Sequence, residues 1–366
     1  MFALELDSSK CVRAVSKFST CTACQDSCPT QAVDLSLENN LPIFLPNDCI
    51  SCGGCVGSCP SEALNLSFHN NTNFFFDFVQ QEDSLLSCKK NLPCLAVLNI
   101  EHILSLALLR DELVLDMGHC NSCEIQNPLY QIILDKVDEA NYILEAMESP
   151  KRVVLKEVAY EPEIKDTTTN RRDFLEKFSL KEAVKQKQAF DQEVAINPDE
   201  FMDFGLDNID VAKIKNKNFP DKRKILFTAL KRAEVPETFH ILDNHDLSFV
   251  SQKELNYETC TACQMCYRIC PTGALTTDYK NSKIDFDPFM CIKCHICHDV
   301  CEPDAITIAD TFSMKNFFKP EVKRLVEFKI RRCYECDGYF DYRGGEVICP
   351  RCKTEEDEAM ELWGLN

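Results

Sequence analysis

The chain has 366 residues, 45% of them hydrophobic, with 24 cysteines, ten glycines and a formal charge of −19. That length suits several domains, and the charge disfavours nucleic acid, whose phosphates want a basic face. The few glycines form no G-x-G-x-x-G, no G-K-[ST] loop and no G-x-S-x-G, and H-E-x-x-H is absent, which excludes the usual nucleotide cradles and hydrolase sites. The opening MFALELDSSK carries acids and no basic or apolar leader segment. The densest apolar stretch, LPCLAVLNIEHILSLALLR, is interrupted by Pro93, Asn99, Glu101 and His102. It reads as a buried helix, because a membrane span needs roughly 18 apolar residues in a row. Cysteines clustered at C-x2-C spacing in such a chain read as thiolate metal ligands rather than disulfides. A reducing compartment, the cytoplasm, is the expected location.

Residues 1–70 hold one motif twice, once incomplete. Cys49, Cys52, Cys55 and Cys59-Pro60 follow C-x2-C-x2-C-x3-C-P. Earlier by 31 residues, Cys21, Cys24 and Cys28-Pro29 fill the last three positions, and Phe18 stands at the first. Two further runs, Cys260, Cys263, Cys266, Cys270 and Cys291, Cys294, Cys297, Cys301, are again 31 residues apart, and a single offset of 242 maps the N-terminal pair onto them. The texts CPTQAV, CPSEAL, CPTGAL and CEPDAI each place an alanine four residues after the cysteine, with Glu302 preceding Pro303 in the last. Cys11, ten residues before Cys21, is the candidate for the missing first ligand. The alternative is a buried free cysteine beside a three-thiolate site. Every other cysteine falls into a set of four, which favours Cys11 as ligand.

These runs resemble the bacterial-type dicluster ferredoxin family, present twice, over about residues 1–70 and 248–312. The resemblance implies strand–loop–helix halves packed with pseudo-two-fold symmetry, in which the fourth cysteine of each run serves the other half's cluster. It implies four [4Fe-4S] clusters. The first takes Cys21, Cys24 and Cys59 with Cys11 in place of Phe18; the second takes Cys49, Cys52, Cys55 and Cys28. The third takes Cys260, Cys263, Cys266 and Cys301; the fourth takes Cys291, Cys294, Cys297 and Cys270. His295 and His298 interleave the last run, either as ligands or proton-coupled tuners, or as neighbours of the site facing solvent.

Between residues 71 and 160 the strands NFFFDFV, ELVLDM and RVVLKEV alternate with helices near 92–110 and 128–147, which predicts a small parallel α/β domain. Cys88 and Cys94 follow the first strand and Cys120 and Cys123 the second, where loops at carboxyl ends of strands bind ligands. A fifth iron–sulfur cluster is the first reading of this quartet, a structural zinc the second and a redox dithiol pair the third. Residues 161–247 hold no cysteine and form a charged, mainly helical insert. Its NRRDFLEKF is only superficially a twin-arginine signal, because no apolar run follows. DKRKILFTALKRAEV reads as an amphipathic helix entering the second ferredoxin unit, 248–325. In 326–366, Cys333, Cys336, Cys349 and Cys352 form two C-x2-C knuckles flanking a Gly344-Gly345 turn, a zinc ribbon followed by an acidic tail. Rubredoxin-like iron is the runner-up there.

The expected fold class is therefore α+β: two dicluster units, a central parallel domain and a ribbon. The expected function is electron transfer without independent catalysis, as a polyferredoxin-like carrier or a subunit of an oxidoreductase of the formate dehydrogenase, hydrogenase or heterodisulfide-reductase type. The acidic chain calls for a redox partner with a basic docking surface, not nucleic acid and not membrane insertion. The competing reading is an assembly or redox-sensing interaction protein whose clusters and zinc are structural.

Overall fold

The computed structural model describes residues 3–35, 40–158, 217 and 219–364. The helices and the arginine pair expected between 161 and 216 lie outside those residues. In the first unit β1 (Leu4–Leu6) leads through α1 (Val12–Val15) and α2 (Ala23–Asp26) to a hairpin of β2 (Val33–Asp34) and β3 (Ile43–Phe44), then to α3 (Gly54–Ser58) and β4 (Leu64–Leu66). β1 closes antiparallel on β4, with Leu4 opposite Leu66. Such short strands cannot hold a sheet alone, so the apolar side chains of Leu4, Leu64 and Leu66 are all buried in a shared core.

The chain then departs from expectation. NFFFDFV is not a strand but part of α4 (Asn71–Gln80), capped by the Asn70 side chain, which accepts from the Asn73 N–H at 2.9 Å. Thr72, Phe75 and Phe78 recur every third residue and are buried on one face, a helical period that outweighs the β preference of aromatic residues. The first strand of the central region is instead β5 (Leu85–Leu86). After α5 (Ile100–Leu109), β6 (Glu112–Asp116), α6 (Gln126–Ala146) and β7 (Arg152–Lys156), the three strands lie parallel in the order β5-β6-β7. All but the last residue of α5 are buried, and no helix among the described residues is long and apolar enough to cross a membrane.

Helix α7 (Asp221–Arg232) lies against α5 with Ile225, Leu226, Ala229 and Leu230 buried. It leads to β8 (Ile241–Asp243) and the second unit: β9 (Lys253–Leu255), α8 (Met265–Ile269), β10 (Leu275–Thr276), β11 (Lys283–Phe286), α9 (Ile296–Asp299) and β12 (Ile306–Ile308). β9 pairs with β12 as β1 does with β4. β13 (Thr311–Ser313) returns to pair with β8, and after α10 (Lys315–Phe318), β14 (Lys323–Glu327) adds a third strand to β10-β11. A hairpin of β15 (Ile330–Arg332) and β16 (Tyr339–Asp341) precedes the exposed helix α11 (Pro350–Trp363). One buried core runs through the first unit, the central sheet, α7 and the segment Phe312 to Phe317; a smaller one underlies Cys260, Cys270 and Val326.

Candidate iron–sulfur centres

Each of the four runs ends in the same backbone device. Three residues past the last cysteine, Gln31, Glu62, Gly273 and Asp304 adopt left-handed φ of 55°, 53°, 76° and 48°. At three of them the turn aims the next amide back at sulfur: Ala32 donates to Cys28 Sγ at 3.2 Å, Ala63 to Cys59 Sγ at 3.3 Å and Ala305 to Cys301 Sγ at 3.2 Å. The recurrent alanine is thus the residue whose N–H meets the sulfur, and its own side chain is buried. One residue earlier, the hydroxyls of Thr30, Ser61 and Thr272 stand 3.7, 3.7 and 3.8 Å from Cys28, Cys59 and Cys270. Pro303 takes that position in the fourth run and offers no hydroxyl. In the three complete runs the residues flanking the second cysteine also have positive φ: Ser51 and Gly53, Ala262 and Gln264, Lys293 and His295. Thr22 beside Cys21 has φ −121°, so the incomplete run has lost that loop shape.

The register of the strands explains the loss. β1 pairs Leu6 with Leu64, and β9 pairs Leu255 with Ile306. Both ladders continue through one more bond, Asp7 N–H to Ala63 O and Asn256 N–H to Ala305 O, each 2.8 Å. Both are followed by the same side-chain turn, Ser9 N–H to Asp7 Oδ1 and Glu258 N–H to Asn256 Oδ1, each 3.0 Å. Counted from these strands Cys11 occupies the place of Cys260, five residues past Leu6 as Cys260 is past Leu255. The difference is an insertion of seven residues, Val12–Phe18, which carries α1 and separates Cys11 from Cys21. Phe18 is 58% exposed and takes no part in the buried thiol set.

The thiols gather in groups drawn from both runs of each unit. Burial, and then Cys21, Cys59 and Cys11, push the Cys24 thiol up to about 12. Burial, then Cys52, Cys24, Cys28 and Cys49, push Cys55 up. Cys28, Cys49, Cys52 and Cys55 line one small hollow, and Cys260, Cys263, Cys266 and Cys301 line another. Burial also raises Cys294 well above its ordinary value, with Cys270, Cys291 and Cys297 adding to it. Buried thiols crowded so that each raises the others suit a shared cationic iron centre, and amides aimed at their sulfurs suit thiolate ligands. The residues present fit [4Fe-4S] centres.

The central quartet forms at the carboxyl ends of β5 and β6. Burial, then Cys88, Cys123 and Asp116, push Cys120 up to about 11; burial pushes Cys94 up to about 12, with Cys52, Cys120 and Cys88 among the neighbours. Cys94 therefore places this quartet beside the second set. Asp116, 1% exposed, fixes the surrounding loops by accepting from Ser87 Oγ at 2.8 Å and from the N–H groups of Gly118 and Val158 at 2.9 and 3.0 Å. In the ribbon the ligand atoms of Cys333, Cys336, Cys349 and Cys352 all lie within 4.8 Å of one another, and Cys336 Sγ is 3.7 Å from Cys349 Sγ. Four sulfurs about 2.3 Å from one ion in a tetrahedron would stand about 3.8 Å apart. Burial opposes it, but the N–H groups of Cys349, Cys336 and Glu335 hold the Cys333 thiol down at about 6.

Buried cations join the parts. Lys222 donates to Cys59 O at 2.9 Å and Arg223 to Cys291 O at 3.1 Å, and both pair with the fully buried carboxylate of Glu101. The first and second units thus meet across α7, and Thr20 adds two bonds to the Asp299 carboxylate, 2.8 and 3.0 Å. Lys136 Nζ donates to the carbonyls of Gly57, Ala96 and Leu98 at 3.1, 3.1 and 2.8 Å, which seats the first unit on the central region. Arg343 of the ribbon hairpin donates to Tyr257 O, Glu258 O and Cys260 O beside the third set. His298 accepts from Lys253 Nζ at 2.6 Å, and burial, followed by that ammonium, holds it neutral with a pKa near 3. Neither this cation nor the contacts between units were readable from the cysteine spacing.

Two family models match the chain, each described as a 4Fe-4S dicluster domain, over residues 19–64 and 252–302. The chain carries two 4Fe-4S dicluster domains, a two-copy dicluster ferredoxin-like arrangement. No curated protein matches it closely enough to count as a relative.

Proposed function

We propose that the chain is a single-electron relay with four [4Fe-4S] clusters and a fifth iron–sulfur centre at Cys88, Cys94, Cys120 and Cys123. The observation that carries the reading is the order in which the cysteine sets lie within reach of one another's charge. The central quartet adjoins the second set through Cys94 and Cys52, and the second adjoins the first through Cys55 and Cys24. The first reaches the fourth through Cys59, Lys222, Glu101, Arg223 and Cys291. The fourth adjoins the third through Cys297 and Cys266, and the ribbon lies against the third. A structural protein needs no such line. Iron rather than zinc suits the central quartet because, among the described residues, only the ribbon thiols are drawn within single-ion reach; zinc is the ion proposed for the ribbon.

When bound, the clusters supply one-electron redox chemistry; the protein's own groups hold sulfur, aim amides at it and exclude water. Such a chain serves as a carrier or as a subunit of a larger oxidoreductase, of the formate dehydrogenase, hydrogenase or heterodisulfide-reductase type. The test is iron, sulfide and zinc per chain on anaerobically purified protein, with EPR of the reduced sample. About 20 iron with one zinc supports five centres. About 16 iron with two zinc makes the central quartet structural. Centres that cannot be reduced and reoxidised reversibly overturn electron transfer in favour of a structural or assembly role.

A further inference from the structure

The two dicluster units are internal copies, so each position has a counterpart, and buried cations break that symmetry between the second set and the fourth. Lys253 pairs with Ile308 in β9–β12 where the first unit pairs Leu4 with Leu66 in β1–β4. Lys293 stands, by the offset of 242, where the first unit has Ser51. Leu4 and Ser51 line the hollow of the second set. The fourth set, its counterpart, therefore meets two ammonium groups where the second meets a methyl group and a hydroxyl.

Contacts in the second unit agree with the counterpart argument. Lys253 is 1% exposed and donates to the imidazole of His298, next to Cys297. The Lys293 N–H donates to Cys291 Sγ at 3.4 Å, and its ammonium is held by Asn244 O at 2.9 Å and by Leu247 O. Arg223, fully buried, donates to Cys291 O at 3.1 Å. Anions offset part of this. Glu101 pairs with Arg223, Glu139 faces Lys293, and Asp287 lies in the same loop, although burial pushes its carboxyl towards the neutral form. Lys253 faces the His298 imidazole instead of a carboxylate.

We propose that the fourth set, Cys291, Cys294, Cys297 and Cys270, holds a centre of higher potential than its counterpart, the second set, with Lys253, Lys293 and Arg223 as the positioning charges that make it so. The inference rests on the electron-transfer reading above. One-electron reduction adds a negative charge to a centre and makes or breaks no bond in the protein. A cation fixed nearby in a low-dielectric interior stabilises the reduced form more than the oxidised one. The second set lacks those charges and falls below the fourth. Of these two counterparts, an electron then rests at the fourth.

The test is a redox-poised EPR titration of the iron-loaded full chain. Cys52→Ser and Cys294→Ser identify the signals of the second and fourth sets, and the fourth is expected to appear at the higher potential. Lys253→Met is expected to lower the reduced-to-oxidised ratio of that signal about tenfold at fixed potential, about 59 mV for a one-electron couple. Lys253→Arg restores it, which a packing role would not. If Lys253→Met fails to load iron, Lys293→Ser, which installs the first unit's residue, is read in the same way. Signals of the second and fourth sets that titrate together, or in the reverse order, overturn this inference and leave the relay standing. A protein without reversible centres overturns the relay itself.

Discussion

At Cys11 the spacing and the fold answer different questions. Subtracting the 31-residue repeat lands on Phe18, whereas counting from β1 lands on Cys11, because seven residues were inserted after the cysteine rather than the cysteine having moved. Deleting residues 12–18 would bring Cys11, Ser19, Thr20 and Cys21 into an uninterrupted C-x2-C. That deletion is expected to keep the full iron content. Cys11→Ser should instead lose about one iron and show a three-iron EPR signal when oxidised, and Phe18→Ala should do neither. A second residue carries a pH dependence. Burial, against two hydrogen bonds from Ser248, pushes the Glu139 carboxyl up to about 7. A carboxyl whose folded pKa is raised binds more protons folded than unfolded, so its contribution falls as pH rises from about 4.5 to 7 and stays low above that. Glu139→Gln removes the penalty. The denaturant midpoint should rise at pH 8, by the equivalent of at most about 3 kcal/mol, and gain little at pH 5.

Elements were legible where a period or a punctuating residue dominated, and less so where packing did. The strands Glu112–Asp116 and Arg152–Lys156 and the helix Asp221–Arg232 lie where pattern puts them. The run of phenylalanines at 74–76 invited a strand, although Asn70 before it is an N-cap and the buried residues keep a helical period. The crossed thiol sets are an expectation from the family resemblance, which iron content of single cysteine variants would check. The seating of α3 on the turn at 95–98 was not legible, because it depends on Gly57, where a Cβ would sit 1.9 Å from Ala96 O. Backbone cannot yield to that as a flexible side chain can, so Gly57→Ala is expected to destabilise by about 3 kcal/mol or more, measured as a fall in the thermal midpoint. The buried triad between α5 and α7 is the other hidden joint. Glu101→Gln leaves Lys222 and Arg223 buried without their carboxylate and should cost about 3–5 kcal/mol. If it leaves the denaturation midpoint unchanged, the triad does not hold α7 to α5.

Over the whole molecule, charge is sorted by depth. Among the described residues Arg13, Lys136, Lys222, Arg223 and Lys253 are buried, and four of them lie on the first and fourth cysteine sets or their carbonyls. Those cations are spent inward, in a chain whose formal charge is −19. The face offered to solvent is correspondingly more acidic than composition alone suggests, and thiolates that hold iron add to the deficit. A partner that takes electrons from such a surface is expected to dock through basic side chains, with encounter steered by opposite charge. Screening weakens that steering, since the Debye length shrinks from about 30 Å at 0.01 M salt to about 8 Å at 0.15 M. The reduced full chain should therefore pass electrons to cytochrome c, a basic one-electron acceptor, at a rate that falls about tenfold or more between those salt concentrations. An acceptor of the same potential but opposite charge should respond in the reverse sense, accelerating as salt screens the repulsion. A rate indifferent to salt with both acceptors would mean that electrons leave through a site shielded from the surface charge, and the expectation of a basic partner would fall.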